Sequence, residues 1–89
     1  MSEARFEIIN ELGLHARAAA KLVRTASRFK AKIELEKDGV RADAKSIMGV
    51  LLLCGEMGAH VTVHAEGEDA EEAVRAIGEL IADRFGEER

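Results

Sequence analysis

Proline, tryptophan and tyrosine are absent from this 89-residue chain, and cysteine occurs once. The single Cys54 excludes an internal disulfide, and no CxxC or His/Cys spacing points to zinc, so the sequence predicts a reducing, cytoplasmic setting. Three phenylalanines are the only aromatics and the net charge is −4. Proteins that bind nucleic acid usually carry a basic surplus and stacking rings, so nucleic acid is not an expected partner. The start, MSEARFEIINE, lacks the basic and then apolar run of a signal peptide. The apolar run Ile47 to Cys54 falls far short of the ~18 residues that a membrane span requires, so no membrane partner is expected either. Nothing in the composition calls for a metal or a cofactor.

What is there reads as one domain, 1–89, without repeats, linkers or low-complexity tracts. At 47% hydrophobic, a chain of this length buries roughly 60 to 65% of its unfolded surface. Ala4, Phe6 and Ile8 alternate with Arg5 and Glu7, the period of a half-buried strand over residues 4–9. From Ala16 the period changes: Ala16, Ala19, Leu22, Val23 and Ala26 follow helical spacing. Ile33 and Leu35 alternate with Glu34 and Glu36, Asp38-Gly39 supplies a turn, and Val40, Ala42 and Ala44 alternate again, which makes a hairpin. Ser46 is a suitable N-cap for a short helix over IMGVLLLC, with Gly55 as its terminator. In AHVTVHAE, Val61, Val63 and Ala65 face inward and His60, Thr62 and His64 outward. Asp69 and Glu72 then form an acidic capping box for a last helix, whose buried face is Ala70, Ala73, Val74, Ile77, Leu80, Ile81 and Phe85, and Gly86 stops it. The order is βαββαβα, and amphipathic elements in that order predict an α+β fold, an antiparallel sheet covered on one side.

The stretch LGLHARAAAKLV breaks the usual rules for a helix start. A helix N-terminus with its free N–H groups favours an anion, and Gly13 permits a tight turn into it. Arg17 in the first turn opposes the helix dipole at a cost of ~0.3 to 1 kcal/mol unless an anion pairs with it. Lys21, Arg24 and Arg28 continue the same face, and no acidic residue stands between Gly13 and Ile33. Ala20, Ile47, Met48, Leu51 and Leu52 form a candidate apolar docking patch, ringed by Arg17, Lys21 and Arg24, for acidic partners with apolar centres. From this chemistry alone, His15 is as consistent with a structural or merely exposed group as with a phosphate-handling one. His60 and His64 share the outward sheet face without a third metal ligand, Cys54 reads as a small core or interface group, and Ser46 as a plain cap.

GLHARAAAKLV, followed some 30 residues later by KSIMGVLLL, resembles the HPr family across essentially the whole chain. These are the histidine-containing phosphocarriers of the bacterial phosphoenolpyruvate-dependent sugar phosphotransferase system. The resemblance implies an open-faced β-sandwich, with three helices on one face of a four-stranded antiparallel sheet. It implies a carrier, not an enzyme, in which His15 accepts a phosphoryl group on Nδ1 from enzyme I and passes it to an enzyme IIA. Arg17 matches the family's phosphate-pairing arginine. Ser46 matches a serine phosphorylated in many lineages, with an HPr kinase/phosphorylase and a transcriptional regulator as further partners of a monomer. A nitrogen-regulatory branch, or a mainly regulatory role read out through Ser46, is the alternative. The family motif usually reads His-x-Arg-Pro, and here Ala18 takes the proline's place, adding an N–H and removing a fixed φ.

Overall fold

The computed structural model describes residues 1–89. Strand β1 (Ser2–Glu7) is followed by helix α1 (Ala16–Ser27), strands β2 (Lys32–Lys37) and β3 (Val40–Asp43), helix α2 (Ile47–Leu52), strand β4 (His60–Glu66) and helix α3 (Ala70–Ala82). A single 3-10 turn, Arg84–Gly86, comes after α3. The strands form one antiparallel sheet in the order β1-β4-β2-β3, with three helices, an open-faced β-sandwich.

The register explains the layering. Phe6 pairs with Val61, Leu35 with Val63 and Ile33 with Ala65, so the apolar members of each alternation share one face. There they meet Ala18, Ala19, Leu22 and Ala26 of α1 and Ala73, Val74, Ile77 and Ile81 of α3 in one apolar cluster. The opposite face carries Glu3, Arg5, Glu34, Glu36, His60 and His64. Helix α3 lies close on β1: a Cβ at Gly78 would stand 2.5 Å from the Phe6 ring. At the hairpin both Asp38 (φ 51°) and Gly39 (φ 81°) are left-handed, the two-residue turn that matches strand twist.

Several sequence expectations are corrected. Ala16 is exposed and Ala18 buried, because Ala16 lies about 100° round the helix from the centre of the stripe Ala18-Ala19-Leu22-Ala26. Val40 is exposed beside the turn at the tip of the edge hairpin, while Ala44 is buried. Leu80 is only half-buried. Helix α2 ends at Leu52 and the chain turns through Cys54, which is left-handed (φ 54°) and exposed and so belongs to no core. Gly55 does not end the helix; it makes room for Leu14, whose Cδ1 would lie 2.5 Å from a Cβ there. Asp69 occupies the N-cap position of α3 without a side-chain cap bond. Its carboxylate instead accepts from the backbone N–H groups of Lys30 and Ala31, both at 2.9 Å, and so holds the connection from α1 to β2. Helix α3 ends at Ala82, before Gly86, and the left-handed pair Arg84 and Phe85 (φ 55° each) turns the chain back so that Phe85 is fully buried.

Candidate functional site

Gly13 and Gly55 weld two loops at the start of α1. Gly13 is left-handed (φ 62°), a Cβ on it would lie 2.3 Å from the Gly55 carbonyl oxygen, and Leu14 donates its N–H to that same oxygen at 2.7 Å. The chain enters α1 through His15, whose extended backbone (φ −72°, ψ 176°) makes it the N-cap, although its side chain caps nothing. Ala19 is the first residue whose N–H closes on His15, at 2.8 Å from its carbonyl oxygen. The N–H groups of Ala16, Arg17 and Ala18 therefore precede the intrahelical ladder and point outward at the positive end of the helix dipole. Ala18 sits where a missing N–H would cost no intrahelical bond, so the alanine adds a donor without altering the helix.

With no cap to make, the His15 imidazole turns elsewhere. Its Nε2 pairs with Glu87 Oε2, and the other carboxylate oxygen accepts from Asn10 Nδ2 at 2.9 Å. Asn10 is fully buried and also donates to the Gly13 carbonyl at 2.9 Å, which ties Glu87 to the glycine turn. Both neighbours of the Asn10 amide nitrogen are acceptors, which fixes the amide's orientation and leaves Oδ1 buried without a partner. Desolvation pushes the Glu87 carboxyl upward, but the hydrogen bonds from His15 and Asn10, with the charges of His15 and Lys21, outweigh it and hold the group below the ordinary glutamate range. Arg17 is exposed, makes no ion pair, and lines an open groove with Glu11, Leu12, His15, Glu87 and Glu88. Unpaired N–H groups and an uncommitted guanidinium beside the His15 ring can together receive a tetrahedral oxyanion.

The expected docking residues divide into two groups. Ile47 (44% exposed), Met48 (66%) and Leu52 (74%) are open to solvent on α2, which packs against α1. Ala20 and Leu51 are half-buried, and Arg24 is exposed. Lys21 is half-buried, and its Nζ donates to the Phe85 carbonyl at 2.6 Å. Arg28 lies over the Phe29 ring, 5.7 Å from its centroid. Ser46 caps α2 as expected, its Oγ accepting from the Gly49 N–H at 3.1 Å. It stands at the far end of α2 from the Gly55 loop that meets His15, about 9 Å of helix away. His60 and His64 each face carboxylates, Glu7 for His60 and Glu36 with Glu3 for His64, and no cluster of three or more possible metal ligands forms.

Residues 2–83 match the family described as the PTS HPr component phosphorylation site. Phosphocarrier protein HPr of Cupriavidus necator is 50% identical over 80 residues, 90% of each chain. The chain belongs to the HPr family. A crystal structure of HPr from Thermoanaerobacter tengcongensis superposes with a TM-score of 0.97 at 49% identity, covering 100% of both chains. An HPr dimer from the same organism gives 0.79 at 49% identity over 98% of this chain and 100% of that one.

Within this HPr-family site, sequence reasoning missed Glu87, Asn10 and the exposed Leu12 (70%) beside His15. Asn10 leaves one usable signal, a lone amide between an apolar strand and a glycine turn. Glu87 leaves none, because it lies in a run of charged residues without periodicity.

Proposed function

We propose that this chain is a phosphoryl carrier in which His15 accepts a phosphoryl group on Nδ1 from phosphorylated enzyme I and donates it to an enzyme IIA of a sugar phosphotransferase system. The observation that carries this reading is the His15 ring itself: it stands at an anion-favouring helix start, makes no cap bond, and has Nε2 engaged by Glu87 so that Nδ1 is the available nucleophile. The Nδ1 lone pair attacks phosphorus, the bond to the donor breaks, and the donor leaves with the electron pair. Arg17 and the N–H groups of Ala16, Arg17 and Ala18 then face the phosphoryl oxygens. These contacts are moderate by design, since a carrier that binds its cargo too firmly cannot pass it on.

The apolar residues Ile47, Met48 and Leu52, with half-buried Ala20 and Leu51 and with Arg17, Lys21 and Arg24 at the rim, suit brief docking on acidic, apolar-centred partner surfaces in the cytoplasm. This reading takes the working carrier as a monomer. Ser46 is a regulatory site on this reading. A phosphate on its hydroxyl sits beside the start of α2 and places about −1.5 to −2 of charge next to the docking patch. The test is incubation with phosphoenolpyruvate and enzyme I: wild type acquires acid-labile, base-stable phosphate and relays it to an enzyme IIA, and His15→Ala does neither. Relay by His15→Ala overturns the proposal.

A further inference from the structure

We infer that Glu87 is a positioning residue that keeps a proton on Nε2 of His15 through both halves of phosphoryl transfer, with buried Asn10 as its anchor. The inference deepens the carrier reading and rests on it for the transfer steps, though not for the geometry.

The argument starts from what a carboxylate can do. Glu87 offers only acceptors when ionised, and its surroundings hold it in that form. The hydrogen in the His15 contact therefore belongs to Nε2, and in the neutral ring the lone pair stands on Nδ1. The carboxylate is itself held at both ends. Asn10 Nδ2 donates to Oε1 at 2.9 Å, and Asn10 is locked by its bond to Gly13 and by complete burial. The segment carrying Glu87 is fixed two residues earlier, where Phe85 is buried and its carbonyl accepts from Lys21 at 2.6 Å. Glu87 N–H closes the turn onto the Arg84 carbonyl at 2.9 Å. A side chain that only covered the histidine would not need both carboxylate oxygens committed.

The proton matters in each direction. When Nδ1 attacks phosphorus, the ring becomes a phosphorylated imidazolium carrying Nε2–H, and its positive charge lies against the Glu87 carboxylate. When an acceptor nucleophile attacks that phosphorus, the phosphorus–Nδ1 bond breaks and its electron pair returns to Nδ1. The ring then leaves as neutral imidazole, because Nε2–H is still in place; without that proton it would have to leave as an imidazolate, a far poorer leaving group. No proton has to enter or leave at either step.

Glu87→Gln tests this directly. With Asn10 donating to the new amide oxygen, the amide nitrogen faces Nε2 as a donor, so the proton is expected to move to Nδ1. Nitrogen-15 NMR of His15 in the unphosphorylated protein, at alkaline pH, reads the tautomer without any partner. Wild type and Glu87→Asp should show the lone pair on Nδ1, and Glu87→Gln should show it on Nε2. Phosphoryl acceptance from phosphorylated enzyme I should fall about 10- to 100-fold in Glu87→Gln and recover in Glu87→Asp. An unchanged tautomer in Glu87→Gln, or a reversed tautomer with undiminished transfer, overturns the inference. If wild type shows the Nδ1 lone pair yet takes no phosphate from enzyme I, the carrier reading fails instead.

Discussion

Lys21 Nζ donates to the main-chain carbonyl of Phe85 at 2.6 Å, which fastens the middle of α1 to the turn that follows α3. The bond orients the Lys21 ammonium and sets the course of the chain towards Glu87. Lys21→Met keeps the aliphatic stem and removes the donor, leaving a half-buried carbonyl unpaired at a cost of about 1 to 2 kcal/mol. Urea denaturation should register that loss, and amide exchange at Gly86 and Glu87 should accelerate. Unchanged exchange there would mean that Phe85 burial alone holds the turn.

Arg17→Glu should leave stability within about 0.5 kcal/mol of wild type, because Arg17 is exposed and makes no ion pair. On the carrier reading, phosphoryl transfer should nevertheless slow severely, as an anion would replace the cation proposed to pair with the phosphate. Thermal unfolding and transfer assays on the same sample separate the two effects, and a large drop in melting temperature would give Arg17 a structural role instead.

Gly13→Ala and Gly39→Ala should differ in cost although both glycines are left-handed (φ 62° and 81°). A Cβ at Gly39 meets nothing within 4 Å, whereas one at Gly13 lies 2.3 Å from a backbone oxygen. Gly39→Ala should cost about 1 to 2 kcal/mol from backbone strain alone. Gly13→Ala should cost more and should also slow transfer at His15. Equal losses in chemical denaturation would show that the loop shifts freely.

Asp69 sets a pH dependence of known sign. The Lys30 N–H bond leads the causes that hold its carboxyl below the usual 3.8; desolvation opposes them, and the Ala31 N–H bond and Lys45 add to them. A pKa depressed in the folded state contributes stability above the unfolded value, and this is lost as pH falls through the folded one. Asp69→Asn should therefore be less stable than wild type at neutral pH, with the gap closing as pH drops below 3.8. A gap that stays constant with pH would show that the loss comes from the amide's geometry and not from the charge.

Ser46→Ala removes the cap on Gly49 and should destabilise by about 0.5 to 2 kcal/mol. Ser46→Asp preserves an acceptor and adds one charge, so it should melt at or slightly above the wild-type temperature while taking phosphate from enzyme I more slowly than Ser46→Ala. The difference should shrink at high salt. Equal rates for the two variants at low salt would reduce Ser46 to a helix cap.

The elements of this fold were legible wherever a local period carried them. Strands β2 and β4, the Asp38-Gly39 turn and the Ser46 cap follow from residues within a few positions of one another, whereas β1 runs over Ser2–Glu7 and not over 4–9, and the expected faces of α1 and α3 lose Ala16 and Leu80. The errors fell at ends and edges, at Ala16, Val40, Cys54 and Asp69, where neighbouring elements decide which side chain is covered and which polar group finds a partner. For the site, local chemistry marked the helix start in GLHARAAAKLV as anion-favouring but left His15 open between a structural and a phosphate-handling group, and the resemblance to the HPr family singled out His15 and Arg17. Glu87 reaches His15 across 72 positions and Asn10 across 77. Its place depends on Arg84 and Phe85 adopting a left-handed backbone that their own steric preferences disfavour. The burial of Phe85 and the Lys21 bond stabilise that turn. Local spacing puts His15 at the start of α1, whereas the Glu87 contact to its Nε2 exists only because tertiary packing brings together residues 72 positions apart.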